Sequence, residues 1–371
     1  MVVIRIPSLR SRWLMLGLLL TLVMAGCNSS GGGDSIVVEP PASAQIRGVD
    51  LSFLPTMEQA GIRYYDGNGA AGDLLQLLKQ AGVNTVRLRL WNNPADGSSS
   101  LDEVAAFSER IRSAGLRTWI TIHYSDTWAD PGHQQPPADW QDLTGDELAA
   151  AVTTFTQEAL ARLTPDYAQI GNEIDNGLLW PQGQRWDHPD TFVRLLAAGL
   201  AGARAGSRQT QLILHAADYR QAPALFSTLA ALDYDIAAVS YYPLWHGSDL
   251  DALASGLAAI HQASGKPLLL AETAYPFTLD WQDNTTNVVG EPAQLIPGYP
   301  ATPEGQLAYL QAVAAMLATV DGTIGWGYWG AEWVAWGGTV GGIDGSSWEN
   351  QTLVDFDHRL LPAVAAFAGS D

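Results

Sequence analysis

Residues 236–272 read IAAVSYYPLWHGSDLDALASGLAAIHQASGKPLLLAE, and this stretch decides the fold. A short apolar run at 236–239 has the length and β-branched content of a buried strand. Apolar residues then recur at helical spacing over 250–263. A second apolar run, 267–271, follows and ends against Glu272. Strand, helix and strand in succession make a βαβ unit, whose two strands run parallel because the helix carries the chain back.

The same alternation extends in both directions. Strands are expected at 46–51, 85–90, 116–122, 167–170, 211–214 and 323–328, with helices at 101–114, 146–163, 191–205 and 304–319. With the two strands of the opening stretch the total is eight. Eight βα repeats over about 320 residues suit a closed (β/α)8 TIM barrel, an α/β fold in one domain spanning 45–371. A doubly wound sheet would want a Gly-rich phosphate turn after an early strand. The candidate, Gly67-Asn68-Gly69-Ala70, follows Tyr64-Tyr65-Asp66, which reads as a loop. Residues 277–303 lack periodicity and read as a long loop after the seventh strand, where long loops are often functional.

The chain of 371 residues is 47% hydrophobic with 14 Trp and 12 Tyr, enough for a large core. Its formal net charge of −20 repels phosphate backbones, so nucleic acid is excluded as a partner class. Arg5, Arg10 and Arg12 precede an apolar run at 13–25, the pattern of a signal peptide over 1–26. The run is shorter than the ~20 residues of a membrane span. It ends in Met24-Ala25-Gly26-Cys27, which resembles a bacterial lipobox and implies a lipid on Cys27. Cys27 is the sole cysteine, so no disulfide supports the fold. Residues 27–44 read as a Gly-rich tether. An exported monomer, lipid-anchored to a bacterial membrane with the outer membrane favoured, is the expectation.

In such a barrel the active site forms at the C-terminal ends of the strands. The fourth strand ends in Gln169-Ile170-Gly171-Asn172-Glu173 and the seventh in Ala271-Glu272-Thr273. Each places a carboxylate just past an apolar run. Hydrolysis of an acetal needs a proton for the leaving oxygen and a partner for a cation-like carbon, and two carboxyl groups with divergent pKa values supply both. Glu173 is expected as acid and base, and Glu272 as nucleophile. Asn172 is placed to bind the sugar hydroxyl beside the reacting carbon. Arg87 and Arg89 share one face of the second strand, and Arg89, nearer the mouth, is the expected partner that keeps Glu272 ionised. His123 and Asp126 are read as hydrogen-bonding a sugar. No zinc-ligand spacing accompanies His123. Of the aromatic residues after strands (Trp91, Trp128, Trp180, Tyr241, Tyr242, Trp245, Tyr275, Trp326, Trp329, Trp333), about half are assigned to sugar-binding subsites and half to packing. Asp50, Trp91, Trp128, Tyr242, Trp245 and Trp329 belong with the substrate-binding set.

At these residues the chain resembles glycoside hydrolase family 53, the arabinogalactan endo-β-1,4-galactanases. Six motifs in order carry the resemblance: GVDLS at 48–52, NTVRLRLWNNP at 84–94, HYSDTWADPG at 123–132, QIGNEIDNGLLWP at 169–181, SYYPLWHG at 240–247 and ETAYP at 272–276. The resemblance implies a clan A barrel that cleaves β-1,4-galactan side chains of pectic type I arabinogalactan with retention, the two carboxyl groups ~5–5.5 Å apart. It carries the acid/base role onto Glu173 and the nucleophile role onto Glu272. Some bacterial members hold calcium in the long loop after the seventh strand. Here that loop offers Asp280, Asp283 and Asn287 but no His, so a Ca²⁺ site is open rather than implied, and no cofactor is required. Two other readings fit the residues. One is a different clan A β-glycanase, cutting mannan, xylan or β-glucan. The other is a non-catalytic lipoprotein that captures glycans.

Overall fold

The computed structural model describes residues 45–337 and 345–369. The expected leader, the tether and Cys27 lie outside the described residues. In chain order the strands are β1 (Ile46–Asp50), β2 (Tyr64–Tyr65), β3 (Ala71–Gly72), β4 (Thr85–Leu90), β5 (Arg117–Ile122), β6 (Tyr167–Ile170), β7 (Gln211–Ala216), β8 (Ile236–Ser240), β9 (Leu268–Glu272) and β10 (Thr323–Tyr328). β2 and β3 pair as a small antiparallel ribbon, and Tyr65 also bridges Arg359. The remaining eight close into a barrel in sequence order, β10 pairing with β1, and every barrel pair is parallel. Closure leaves the barrel no unpaired edge.

The expected helices form at Leu101–Ser113, Gly145–Leu163, Pro189–Gly206, Leu250–Ser264 and Pro303–Leu317. Their ends follow local chemistry. Ser100 accepts from the Glu103 amide, Asp249 from Asp251 and Ala252, and Thr302 from Gly305 ahead of Pro303. Four α-helices were not anticipated: Leu54–Gln59, Leu74–Gln80, Ala222–Leu229 and Pro243–His246. Each has eight residues or fewer, too short for a 3.6-residue period to stand out.

Alternation along the strands sorts the core into two layers. On β4 the side chains of Val86, Leu88 and Leu90 pack against the helices, while Arg87 and Arg89 face inward. Ile46, Trp119, Tyr167, Ile213, Ile236, Ala238, Leu269 and Ala271 form a separate cluster that fills the barrel itself. Trp119 has no exposed surface and occupies its centre. A strand across the barrel, β10, makes room for it: a Cβ on Gly327 would lie 2.6 Å from the Ala271 carbonyl and 3.3 Å from the Trp119 ring. The Arg87 guanidinium sits 5.2 Å from the Trp119 ring centroid, so the indole is the floor beneath the polar mouth.

Trp119→Ala should therefore cost ~3–5 kcal/mol of stability, as for a large aromatic removed from a packed core. Denaturant unfolding with an unchanged m-value would register it. A loss below ~1 kcal/mol would mean that the centre of the barrel is not close-packed.

Candidate active site

Two backbone irregularities and one hydrogen-bonded turn aim the polar side chains. The β8–β9 register shifts between Val239 and Ser240, so that Ser240 pairs with Glu272 rather than with Ala271. That bulge turns Glu272 toward the barrel axis although Ala271 also faces in. Past the end of β6, Glu173 holds φ 48° and ψ 59°, a left-handed conformation uncommon for a residue with a Cβ. Such strain persists only where the surroundings enforce it. Here the Gln134 amide donates to the carbonyls of Asn172 and Glu173, at 2.9 and 3.4 Å. Asp50 ends β1, where Ser52 donates to its Oδ1 through both backbone and hydroxyl.

Arg87 lies at the centre of the resulting array. Its Nη1 contacts Asp50 Oδ2 at 2.8 Å and its Nη2 contacts Glu272 Oε1 at 2.7 Å. The same Nη2 lies 3.0 Å from Asn172 Oδ1 and 3.4 Å from Gln169 Oε1. The Tyr242 hydroxyl donates to Glu272 Oε2 at 2.8 Å. Burial pushes the Glu272 carboxyl upward, and Arg87 and then Tyr242 oppose that shift.

Glu173 has a different environment. It is partly exposed to the cleft and accepts one side-chain hydrogen bond, from Ser240 Oγ to Oε1 at 2.7 Å. Burial, then repulsion from Glu272, holds its carboxyl well above the usual range. The proton of the pair therefore resides on Glu173. Behind Ser240 the bonding direction can be traced. Gln169 Nε2 lies 2.9 Å from His215 Nδ1, so Nδ1 accepts and the ring proton sits on Nε2. Nε2 then donates to Ser240 Oγ at 3.0 Å, and Ser240 donates to Glu173. His215 is fully buried and its pKa is driven well below the ordinary value by burial and then by Arg87, which keeps the ring neutral.

Both glutamates line one cleft of about 480 Å³. Asp50, Arg89, His123, Trp128, Asn172, Tyr242, Trp245 and Trp329 line it too, as the sequence led one to expect. Trp91 and Asp126 do not. Trp91 packs under Arg89, and the Asp126 carboxylate accepts from the amides of Asn93 and Ala138. The expected Arg89–Glu272 pair is replaced by Arg87–Glu272. Arg87 sits deeper, where its guanidinium reaches the barrel axis. Arg89, one pleat higher, turns away beneath the rings of Phe53, Trp91 and Trp128, at 4.6, 4.3 and 4.2 Å. Burial lowers its pKa to about 10. Asn172 gives one amide hydrogen to the Ala129 carbonyl and keeps the other. His123 Nδ1 accepts from the Ala129 amide, leaving Nε2 as a donor to the cleft. Trp329, Trp333 and Trp348 make a wall of edge-to-face rings, and Phe53 stacks on Trp333 at 4.2 Å. Tyr241, Tyr275 and Trp326 are buried packing residues.

Ser240 and His215 were not anticipated. Ser240 is visible as the last residue of an inward-facing alternation on β8. His215 sits inside a strand, where the sequence does not distinguish a packing histidine from a polar relay. In the long loop, both Asp283 oxygens accept backbone amides, from Thr285 and Ser346. Asp280 is exposed, and Asn287 Oδ1 is buried without a partner among the described residues. Among the described residues no three acidic, His or Cys side chains converge to hold a metal ion.

The model of glycosyl hydrolase family 53 matches residues 46–367. The chain is 34% identical to an arabinogalactan endo-β-1,4-galactanase of Cellvibrio japonicus over 86% of this chain and 89% of that one. The fold superposes on the family 53 catalytic domain of Ignisphaera aggregans with a TM-score of 0.82 at 36% identity, covering 87% of this chain and 95% of that one. A structure of fungal β-1,4-galactanases gives a TM-score of 0.76 at 31% identity, covering 88% and 99%.

The Ser240 hydroxyl favours the ionised form of Glu173, so Ser240→Ala should raise the Glu173 pKa further, by about one unit for a hydrogen bond to a charged group. Carboxyl ¹³C titration reads this directly. An unshifted or lowered value would show that Ser240 does not donate to Glu173.

Proposed function

The chain belongs to glycosyl hydrolase family 53, and on that premise we propose that it is a retaining endo-β-1,4-galactanase acting on galactan side chains of pectic type I arabinogalactan. One observation carries the mechanism: two carboxyl groups line the same cleft in unlike environments. Glu272 is held between Arg87 and Tyr242 as a carboxylate, while Glu173 keeps a proton.

Glu173 gives its proton to the glycosidic oxygen as the bond to the anomeric carbon breaks. The Glu272 carboxylate attacks that carbon from the opposite face and forms a glycosyl ester. The ionised Glu173 then takes a proton from a water that attacks the anomeric carbon, and the bond from that carbon to the Glu272 oxygen breaks to release the carboxylate. The sugar leaves with its configuration retained, and both glutamates return to their starting states. The spare amide hydrogen of Asn172 is placed for the hydroxyl beside the reacting carbon, where a contact that strengthens in the transition state accelerates the reaction. The Trp128, Trp245 and Trp329 rings line the cleft as platforms for sugar C–H faces.

The location belongs to the same proposal. The lipobox-like residues before Cys27 and the Gly-rich run after it support export and anchoring through a lipid on Cys27 at the outer membrane of a bacterium, with the barrel tethered as a monomer. Labelling with a radioactive fatty acid, lost in Cys27→Ser, tests the anchor.

Release of reducing ends from galactan, mannan, xylan and β-glucan tests the substrate. Galactan should be cut and the others left nearly intact, and cleavage of another polymer alone would sink the galactanase reading. Glu173→Gln should lower turnover by about 10²–10⁴-fold with binding largely kept. Glu272→Ala should be inactive on every polymer. Residual cleavage near the parent rate in either variant would remove that glutamate from the mechanism.

A further inference from the structure

We infer that Trp186 is a remote platform for a galactosyl unit on the leaving-group side of the scissile bond, outside the cleft already described; the inference rests on the galactanase reading. Among the described residues four large hydrophobic side chains are exposed: Trp128, Trp186, Trp245 and Trp281. Trp128 and Trp245 line the cleft. Trp186 does not, yet at 61% it is the most exposed of the four.

Its exposure is not looseness. The indole Nε1 donates to Asn176 Oδ1 at 3.0 Å, and the Arg185 guanidinium lies 4.6 Å from the ring centroid. The backbone leading into it is tied as well: Arg185 N donates to the Asn176 carbonyl, and Gly177 bridges Gln184. A ring pinned by its polar edge and braced on one face presents its remaining apolar surface in a fixed orientation. That costs solvation and yields no core packing, the signature of an aromatic that binds something.

Two links join this ring to the reaction centre. Asn176 lies three residues beyond Glu173 in the same loop. Its Nδ2 donates to the carbonyl of Pro131, a residue of the cleft wall, at 2.9 Å. The side is fixed by chemistry, because a general acid must reach the leaving oxygen, so the loop bearing Glu173 flanks the departing sugar. A polymer leaving the cleft on that side passes the rim of which Trp186 is the outer part. The occupant is a neutral pyranose of the same chain, stacked by its C–H face.

The test compares the parent enzyme with Trp186→Ala and Trp186→Phe on two substrates. One is long galactan. The other is an aryl β-1,4-galactobioside, whose leaving group is a phenol that cannot reach Trp186. Trp186→Ala should lower kcat/KM on galactan about fivefold, mainly through KM, and leave the aryl substrate unchanged. Trp186→Phe, which keeps a ring but loses the indole hydrogen bond, should fall between. An equal loss on both substrates, or no loss on either, overturns the inference. If the parent cuts a different β-glycan and not galactan, the substrate reading fails, and the same long-against-aryl comparison on that glycan decides Trp186 separately.

Discussion

One guanidinium, 3% exposed, orients both carboxyl groups of the cleft. Arg87 contacts Glu272 directly. It reaches Glu173 through a chain in which every donor points the same way: Arg87 to Gln169, Gln169 to His215, His215 to Ser240 and Ser240 to Glu173. A cation at that depth is costly unless paired, and Asp50 and Glu272 pair it. The Trp119 ring beneath it excludes water from below. The barrel supplies this geometry because alternate residues of eight strands converge on one axis. Removing the charge would strand two buried carboxylates and take one donor from Gln169, the residue that orients the His215 ring.

The unlike states of the two glutamates follow from how many donors each receives. Glu272 has a cation and a phenol, and Glu173 has a hydroxyl alone. Burial raises both carboxyl groups, so the difference comes from the partners. Repulsion between them then places the single proton on Glu173. The left-handed backbone of Glu173 belongs to the same arrangement, since it holds the side chain over the cleft rather than against the barrel wall.

The strands and the long helices could be read from the sequence because their periods run for many residues. Residues 85–90 and 323–328 form strands with the expected bounds, and 101–114 differs by one residue from the helix Leu101–Ser113. The short helices at Leu54–Gln59 and Ala222–Leu229 escaped, since one or two turns carry no period. The carboxylates were legible because each ends an apolar run. The choice between Arg87 and Arg89 was not. Alternation puts both on one face with Arg89 nearer the mouth, but it does not say at which depth Glu272 meets that face, and depth decided it. The place of Asp126, which ties two amides rather than lining the cleft, was hidden for a related reason: a polar residue in a loop at the mouth looks the same whether it meets a ligand or ties the loop's own amides.

Arg89 and Glu332 complete the charge balance of the cleft. Arg89 has no carboxylate within ion-pair distance among the described residues and is held by three aromatic faces. Glu332, fully buried, accepts the Phe53 amide at 2.7 Å through Oε1, while Oε2 has no partner among the described residues. Burial, reinforced by Asp50, raises its carboxyl well above the usual range, so it is neutral where Glu272 is ionised. The inner cleft then holds two cations, Arg87 and Arg89, against two anions, Asp50 and Glu272, with Glu173 and Glu332 protonated. On a protein of net charge −20 the innermost group of the cleft is thus balanced, while Asp130 stands half-exposed on the wall outside it. A neutral polymer enters such a mouth without electrostatic cost, and the positive charge that grows on the sugar in the transition state meets Glu272, the one carboxylate placed beside it.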